Sequence, residues 1–185
     1  MTDEQKSVLL SVARSAVTSA VSGKKPVKVS SDESELNAHC GCFVTLKNKD
    51  ELRGCIGQFV SDRPLIELVS QMAAASSTGD SRFFGRPITP KEVKDLDIEI
   101  SVLSPLKKTR DPLSLRLGID GIYIKKGYAS GCFLPQVARE EGWSKEEFLS
   151  YCCSHKAGLR ADAWKDKNTE VYLFTAEILE EKYAL

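Results

Sequence analysis

Apolar residues recur at helical spacing near the N-terminus. The segment Thr2–Gln5 has the sequence of a capping box, which begins a helix, and Gly23 is a typical residue just past a helix end. Between them the apolar positions repeat every three or four residues: Val8, Leu9, Val12, Ala13, Ala16, Val17, Ala20 and Val21. This pattern predicts one long amphipathic helix whose apolar stripe packs into a core.

The next apolar positions alternate with polar ones, which predicts strands. Residues 41 to 46 form a first strand, 47 to 50 a turn, and 51 to 59 the partner strand of a hairpin. A helix follows from about Ser61 and ends at Gly79. Leu96 to Val102 then alternates clearly and predicts a half-buried strand.

The second half of the chain repeats this order. Residues 121 to 126 and 128 to 134 predict another hairpin, and Pro135 opens a short helix. A capping box at 144 to 147 begins a second helix, and residues 171 to 179 predict a final strand. The predicted order of elements in both halves is therefore a hairpin, a helix and a strand. The local match of Gly54–Gln58 with Gly131–Gln136 supports a duplicated unit.

Length and charge narrow the class of protein. A chain of 185 residues suits one domain, which we expect to span residues 1–185 as two lobes sharing one core. Lys plus Arg and Asp plus Glu both number 26, so binding to nucleic acid through phosphates is not expected. The most basic segment, residues 105 to 117, is predicted to be a solvated loop.

Six cysteines and two histidines are the other residues of chemical interest. No signal sequence and no membrane-length apolar run is found, so a cytoplasmic location and free thiols are expected. The cysteine spacings do not match a zinc site or a redox dithiol, and no metal or cofactor is predicted.

The segment Leu52–Gly57 carries the strongest chemical signal. Period-two alternation places Leu52 and Ile56 on one face of its strand and Arg53 and Cys55 on the other. A guanidinium beside a thiol favours the reactive thiolate, and Gly54 and Gly57 let a ligand or another backbone approach. The alternative is a small buried cysteine packed where glycines allow close contact.

Other residues extend this candidate site. Asp80 and Arg82 either anchor their loop or line a pocket with Arg53 and Cys55. Lys156 is a further candidate binding residue, although it also suits a helix end. A cysteine nucleophile usually needs a base, and His39 and His155 are the available histidines.

Several ordered motifs resemble the AMMECR family along nearly the whole chain. They are Gly41–Leu46, Leu52–Gly57, Asp80–Phe83, Ile98–Pro105, Phe133–Ala138 with Gly142–Trp143, and Lys156–Leu159 with Ala163–Trp164. The resemblance implies an α+β fold of two unequal lobes with antiparallel sheets, and an intracellular protein with a cleft near Leu52–Gly57. It also implies a functional link to Memo-type and radical S-adenosylmethionine proteins, but no established reaction.

The chain departs from the family pattern at two places. Many relatives carry an asparagine near Gln71–Met72, and here Phe84–Arg86 delay the proline that usually follows Phe83. Neither histidine belongs to the pattern, which weakens a Cys–His dyad. The first hypothesis is a small enzyme or enzyme subunit with Cys55 as thiolate or substrate contact and Arg53 stabilising an anion. The second is a module that binds a protein or peptide, and the third is nucleic-acid binding.

Overall fold

The computed structural model describes residues 1–181, which divide into two units. The first unit comprises Met1–Leu103 and the chain from Glu177 onward, and the second comprises Ser104–Ala176. Each unit has one four-stranded sheet and its own hydrophobic cluster. The predicted α+β class, with antiparallel sheets and two unequal lobes, is confirmed. No helix in the described part of the chain has the length and apolar character needed to cross a membrane.

The elements follow the predicted order. The helices are α1 (Asp3–Val21), α2 (Leu65–Thr78), α3 (Pro135–Glu140) and α4 (Lys145–Tyr151). The strands are β1 (Cys42–Asn48), β2 (Glu51–Gln58), β3 (Asp97–Leu103), β4 (Lys107–Thr109), β5 (Gly121–Lys126), β6 (Ala129–Phe133), β7 (Glu170–Phe174) and β8 (Ala176–Glu181). The capping boxes at the start of α1 and α4 are both formed.

The duplicated hairpin-helix-strand unit is confirmed by the order of the strands. The first sheet contains the run β2-β1-β3, and the second contains β6-β5-β7, with antiparallel pairing throughout both runs. The fourth strand of each sheet lies outside the repeated unit. In the first sheet it is β8, which comes after the repeat in sequence, and in the second sheet it is β4, which comes before the repeat. The prediction of a single domain with one shared core stays a prediction.

Two elements differ from the sequence-based expectation. The predicted strand 171–179 is two strands, because the chain leaves the second sheet at Thr175 and β8 joins the first. Thr175 pairs there with Ser104 through two hydrogen bonds. The segment 105–117 is not only a solvated loop, since its residues 107–109 form β4. That strand has no apolar residue and leaves no hydrophobic pattern. It is held by backbone pairing with β7 and by the ion pair of Lys108 with Glu170.

Helix α2 lies unusually close to the β1–β2 hairpin. Ile56 N–H donates to Ser76 Oγ at 2.9 Å, and that hydroxyl donates to the Val44 carbonyl at 2.7 Å. Because Val44 and Ile56 face each other across the two strands, the hydroxyl bridges the ladder. A Cβ on Gly54 would lie 2.0 Å from the Ser76 carbonyl oxygen. Gly54 is therefore required for the helix to approach the strand.

Replacing Gly54 by alanine is expected to destabilise the first unit by about 2 kcal/mol or more, because the helix must move away from the strand. Urea unfolding followed by circular dichroism measures the change. The matched control is Gly85→Ala, where a Cβ meets no atom within 4 Å, and its effect is expected to stay within about 0.5 kcal/mol. Equal effects of the two substitutions would contradict this account of Gly54.

Candidate functional site

A β-bulge at Arg53 organises the candidate site. Leu46 pairs with Gly54 but Lys47 pairs with Leu52, so Arg53 is an extra residue without a partner on β1. A bulge re-aims the side chain of its extra residue. Leu52 consequently lies opposite Lys47, on the same face as Cys55. The prediction that simple alternation carries Arg53 and Cys55 on one face and Leu52 with Ile56 on the other is therefore wrong.

The Cys55 side chain lies on the sheet face opposite to α2. Cys55 pairs with Thr45, and the Thr45 hydroxyl donates to Cys55 Sγ at 3.2 Å. Next to this pair, the Phe43 ring covers Gly57, where a Cβ would come within 2.3 Å of the ring. Cys55 is half-buried. The thiol is thus partly accessible, with a hydroxyl donor on one side and an aromatic ring nearby.

Asp80 and Arg82 hold the peptide groups of Cys55. Strand β2 is an edge strand, and its outer side would otherwise present unpaired N–H and C=O groups. Cys55 N–H donates to Asp80 Oδ2 at 2.9 Å, and Arg82 Nη2 donates to the Cys55 carbonyl at 3.2 Å. The two side chains therefore pair with Cys55 as a neighbouring strand would, which fixes the direction of its thiol.

The Asp80 carboxylate is saturated with donors. Arg82 donates to it through Nε at 2.9 Å and Nη2 at 2.6 Å, and through its backbone N–H. These bonds from Arg82, followed by the bond from Cys55 N–H, hold the pKa of Asp80 at about 2, below its ordinary 3.8. The pKa of Arg82 is raised, first by its hydrogen bond with Asp80 and further by the charges of Asp80 and Cys55. Asp80 thus acts as an anchor, as the structural alternative predicts.

The Arg53 guanidinium is engaged by another carboxylate. Arg53 is 5% exposed, and its Nε and Nη2 donate to the two Glu92 oxygens at 2.6 and 3.2 Å. Nη2 also donates to the Arg86 carbonyl at 3.1 Å. The hydrogen bonds from Arg53 are the first cause of a lowered pKa of Glu92. The positive charge of Arg53 is therefore neutralised, and Arg82 is the cation beside Cys55.

The other predicted residues have separate surroundings. Ser76 occupies the space beside Gly54, and Phe43 occupies the space beside Gly57, so close packing explains why each position is a glycine. Contact of a ligand with these glycines stays a prediction. Lys156 belongs to the second unit, where its amine lies over the Phe133 ring, and its binding role also stays a prediction.

In the described part of the chain, neither histidine is hydrogen-bonded to the Cys55 thiol. Gly41 lies beside Gln58 and Phe59, so His39 is at the far end of the hairpin. The strand from Cys42 to Thr45 alone covers about 10 Å. His155 stacks on Tyr151 within the second unit. Among the described residues, the Thr45 hydroxyl is the group recorded as hydrogen-bonded to Cys55 Sγ.

Four of the other five cysteines are less suited to reaction. Burial raises the pKa of Cys40, Cys152 and Cys153, and raises that of Cys42 to about 12. Within residues 1–181, no three His, Cys, Asp or Glu side chains are grouped to hold a metal ion.

Sequence reasoning missed Thr45, Ser76 and Glu92. The position of Thr45 opposite Cys55 depends on the strand register. The bulge that sets this register leaves no signal in the hydrophobic pattern. Ser76 lies in a run of small residues, Ala73–Thr78, which indicates close helix packing without showing its partner.

Comparison with known proteins finds similar proteins in several archaea. The AMMECR1 family model matches residues 10–179. A protein of Methanothermobacter thermautotrophicus is 41% identical over 180 residues, covering 94% of this chain and 92% of the relative. A protein of Thermococcus kodakarensis is 41% identical over 192 residues, covering 98% and 92%. The crystal structure of the uncharacterised protein PH0010 from Pyrococcus horikoshii matches with a TM-score of 0.89 and 39% identity, over 99% of this chain and 94% of that one.

The lowered pKa of Asp80 predicts a defined acid response. Since the pKa is lower in the folded protein, the stabilisation is complete above pH 4 and is lost as the pH falls toward 2. Its size is about 2 kcal/mol, and Asp80→Asn is expected to remove this pH dependence. Urea unfolding at a series of pH values measures it. Asp62→Asn is the control, because Asp62 is exposed to solvent. A wild-type acid response at Asp80→Asn would contradict the prediction.

Proposed function

The chain belongs to the AMMECR1 family, and we propose that it is a small enzyme or enzyme subunit in which the Cys55 thiol contacts or attacks the substrate. The observation that carries the proposal is the pairing of Asp80 and Arg82 with the Cys55 peptide. A reactive group is effective when the backbone that carries it is held in place by its supports.

The surroundings of the thiol support nucleophilic or anion-binding chemistry. The Thr45 hydroxyl donates to the sulfur, and Arg82 brings a positive charge to the same strand edge. Arg82 therefore takes the part that the sequence suggested for Arg53. Both arginines are paired with a carboxylate, Arg53 with Glu92 and Arg82 with Asp80, but Arg82 also bonds to the Cys55 peptide. The Arg82 side chain is 56% exposed, so an incoming anionic group can reach it.

The proposal leaves the base to a partner protein or to the substrate. No carboxylate or imidazole among the described residues is hydrogen-bonded to Cys55 Sγ. The family resemblance suggests Memo-type and radical S-adenosylmethionine proteins as the partners to try first. The same observation favours the second candidate, a binding module in which the Cys55 edge contacts a protein or peptide without reaction.

Iodoacetamide labelling of the folded protein tests the thiol proposal. Cys55 is expected to react first of the six cysteines, as read by peptide mass spectrometry. Arg82→Gln is expected to slow its labelling by about three- to tenfold, since the nearby positive charge is lost. The matched control is Arg86→Gln, because Arg86 is an exposed arginine of the same segment that pairs with Glu51 instead.

Two results would overturn the proposal. One is labelling of another cysteine before Cys55, and the other is an equal rate in wild type and Arg82→Gln. If a partner is captured equally well by Cys55→Ala and wild type but not by Arg82→Gln, the binding-module candidate replaces the enzyme.

A further inference from the structure

A cavity of about 330 Å³ lies on the opposite side of strand β2 from the Cys55 thiol. It is partly open to solvent and is lined by the ends of α1 and α2 and by the loop that follows Asp80. Five apolar residues form much of its wall: Val21, Phe83, Phe84, Pro87 and Ile88. The polar lining consists of Arg53, Ser76, Ser77, Thr78 and Asp80. Apolar walls with a few polar groups, at this volume, are typical of a small-molecule site.

Arg53 contributes an unpaired donor to this side of the strand. Its Nη1 is buried and has no hydrogen-bond acceptor among the described residues. A guanidinium is planar, and Glu92 occupies the edge formed by Nε and Nη2. Nη1 therefore points away from Glu92. Arg53 lines this cavity and also a second pocket, which Glu92 lines too. Because Nη1 points away from Glu92, its unpaired N–H groups lie on the side of the first cavity.

The remaining polar groups of the lining are either saturated or able to accept. The Asp80 carboxylate already accepts hydrogen bonds from Arg82 and Cys55, and the Ser76 hydroxyl already bridges two strands. Ser77 and Thr78 each donate their hydroxyl hydrogen to the Ala74 carbonyl. Each of these two hydroxyl oxygens keeps lone pairs that can accept a hydrogen bond. The cavity thus offers one unused side-chain donor and two acceptors.

The charge around the cavity favours a neutral ligand. Arg53 is neutralised by Glu92, and Arg82 by Asp80. The C-terminal turn of α2, Ser76–Thr78, adds the partial negative charge of a helix end. A carboxylate would find no uncompensated positive charge here, whereas a carbonyl oxygen requires only a donor.

We propose that this cavity binds a small neutral molecule that carries an apolar ring and an amide or lactam group. The carbonyl oxygen accepts from Arg53 Nη1, the amide N–H donates to Ser77 or Thr78, and the ring packs against Phe83, Phe84 and the other apolar residues of the wall. Nη1 is shielded from solvent, so the ligand reaches it only when the side chains of the wall move apart. The Cys55 thiol is not part of this site, although Asp80 lines the cavity and also bonds to the Cys55 peptide.

Binding of benzamide, compared with benzoate, tests the proposal. The two probes share a ring and differ in the neutral amide and the charged carboxylate. In titrations followed by ¹H–¹⁵N NMR, benzamide is expected to shift resonances of Ser76–Thr78 and Phe83–Ile88 with a Kd of about 1 mM, a normal affinity for a fragment. Benzoate is expected to bind at least about tenfold more weakly. Absence of benzamide shifts up to about 10 mM, or equal binding of benzoate, overturns the proposal.

Two variants locate the contact. Arg53→Lys keeps a cation for Glu92 but removes Nη1. This variant is expected to weaken benzamide binding about tenfold. Its control is Arg86→Lys, which changes an arginine outside the cavity. Phe84→Ala removes the exposed wall and is expected to weaken binding at least about threefold, and it keeps the test decisive if Arg53→Lys does not fold. Its control is Tyr128→Ala, another exposed aromatic residue. Unchanged benzamide affinity in Phe84→Ala overturns the proposal.

Discussion

The single extra residue in strand β2 is the constraint on which the candidate sites depend. A turn that pairs Asn48 with Glu51 would, without a bulge, place Cys55 opposite Val44, on the core face of the sheet. The bulge at Arg53 moves this pairing by one residue, so that Cys55 faces Thr45 instead. Arg53 is then free to turn toward Glu92 and the helix side. One inserted residue thereby gives the strand two chemically different faces.

The bulged strand is held in place from both of its sides. On the inner side, Ser76 bridges the ladder, and Gly54 makes room for its helix. On the outer edge, Asp80 and Arg82 satisfy the Cys55 peptide. These supports come from α2 and from the loop that directly follows it. Helix α2 thus fixes both the strand and the loop segment that carries the cation of the thiol site.

The sequence predicts the elements of this fold well and its local irregularities poorly. The helices and the two hairpins follow from periodicity, and the repeat follows from the match of Gly54–Gln58 with Gly131–Gln136. Each glycine lies against the backbone of a later segment: Gly54 meets Ser76 in α2, and Gly131 meets Lys156 and Ala157 beyond the end of α4. Strand β4 and the break at Thr175 are missed because backbone pairing, not side-chain pattern, defines them. The candidate residues Cys55, Asp80 and Arg82 do come together, whereas Arg53 is separated from Cys55 by a bulge that hydrophobic patterns do not encode.

The central claim is that the bulge sets the strand register and thereby places Cys55 opposite Thr45. The peptide groups of Cys55 bond outward, so the pair is of the non-hydrogen-bonded kind, in which facing Cα atoms approach most closely. A nuclear Overhauser spectrum of the labelled protein tests this directly. The account predicts a strong cross-peak between the Hα protons of Thr45 and Cys55. A strong cross-peak from Cys55 Hα to Val44 Hα in its place would contradict it.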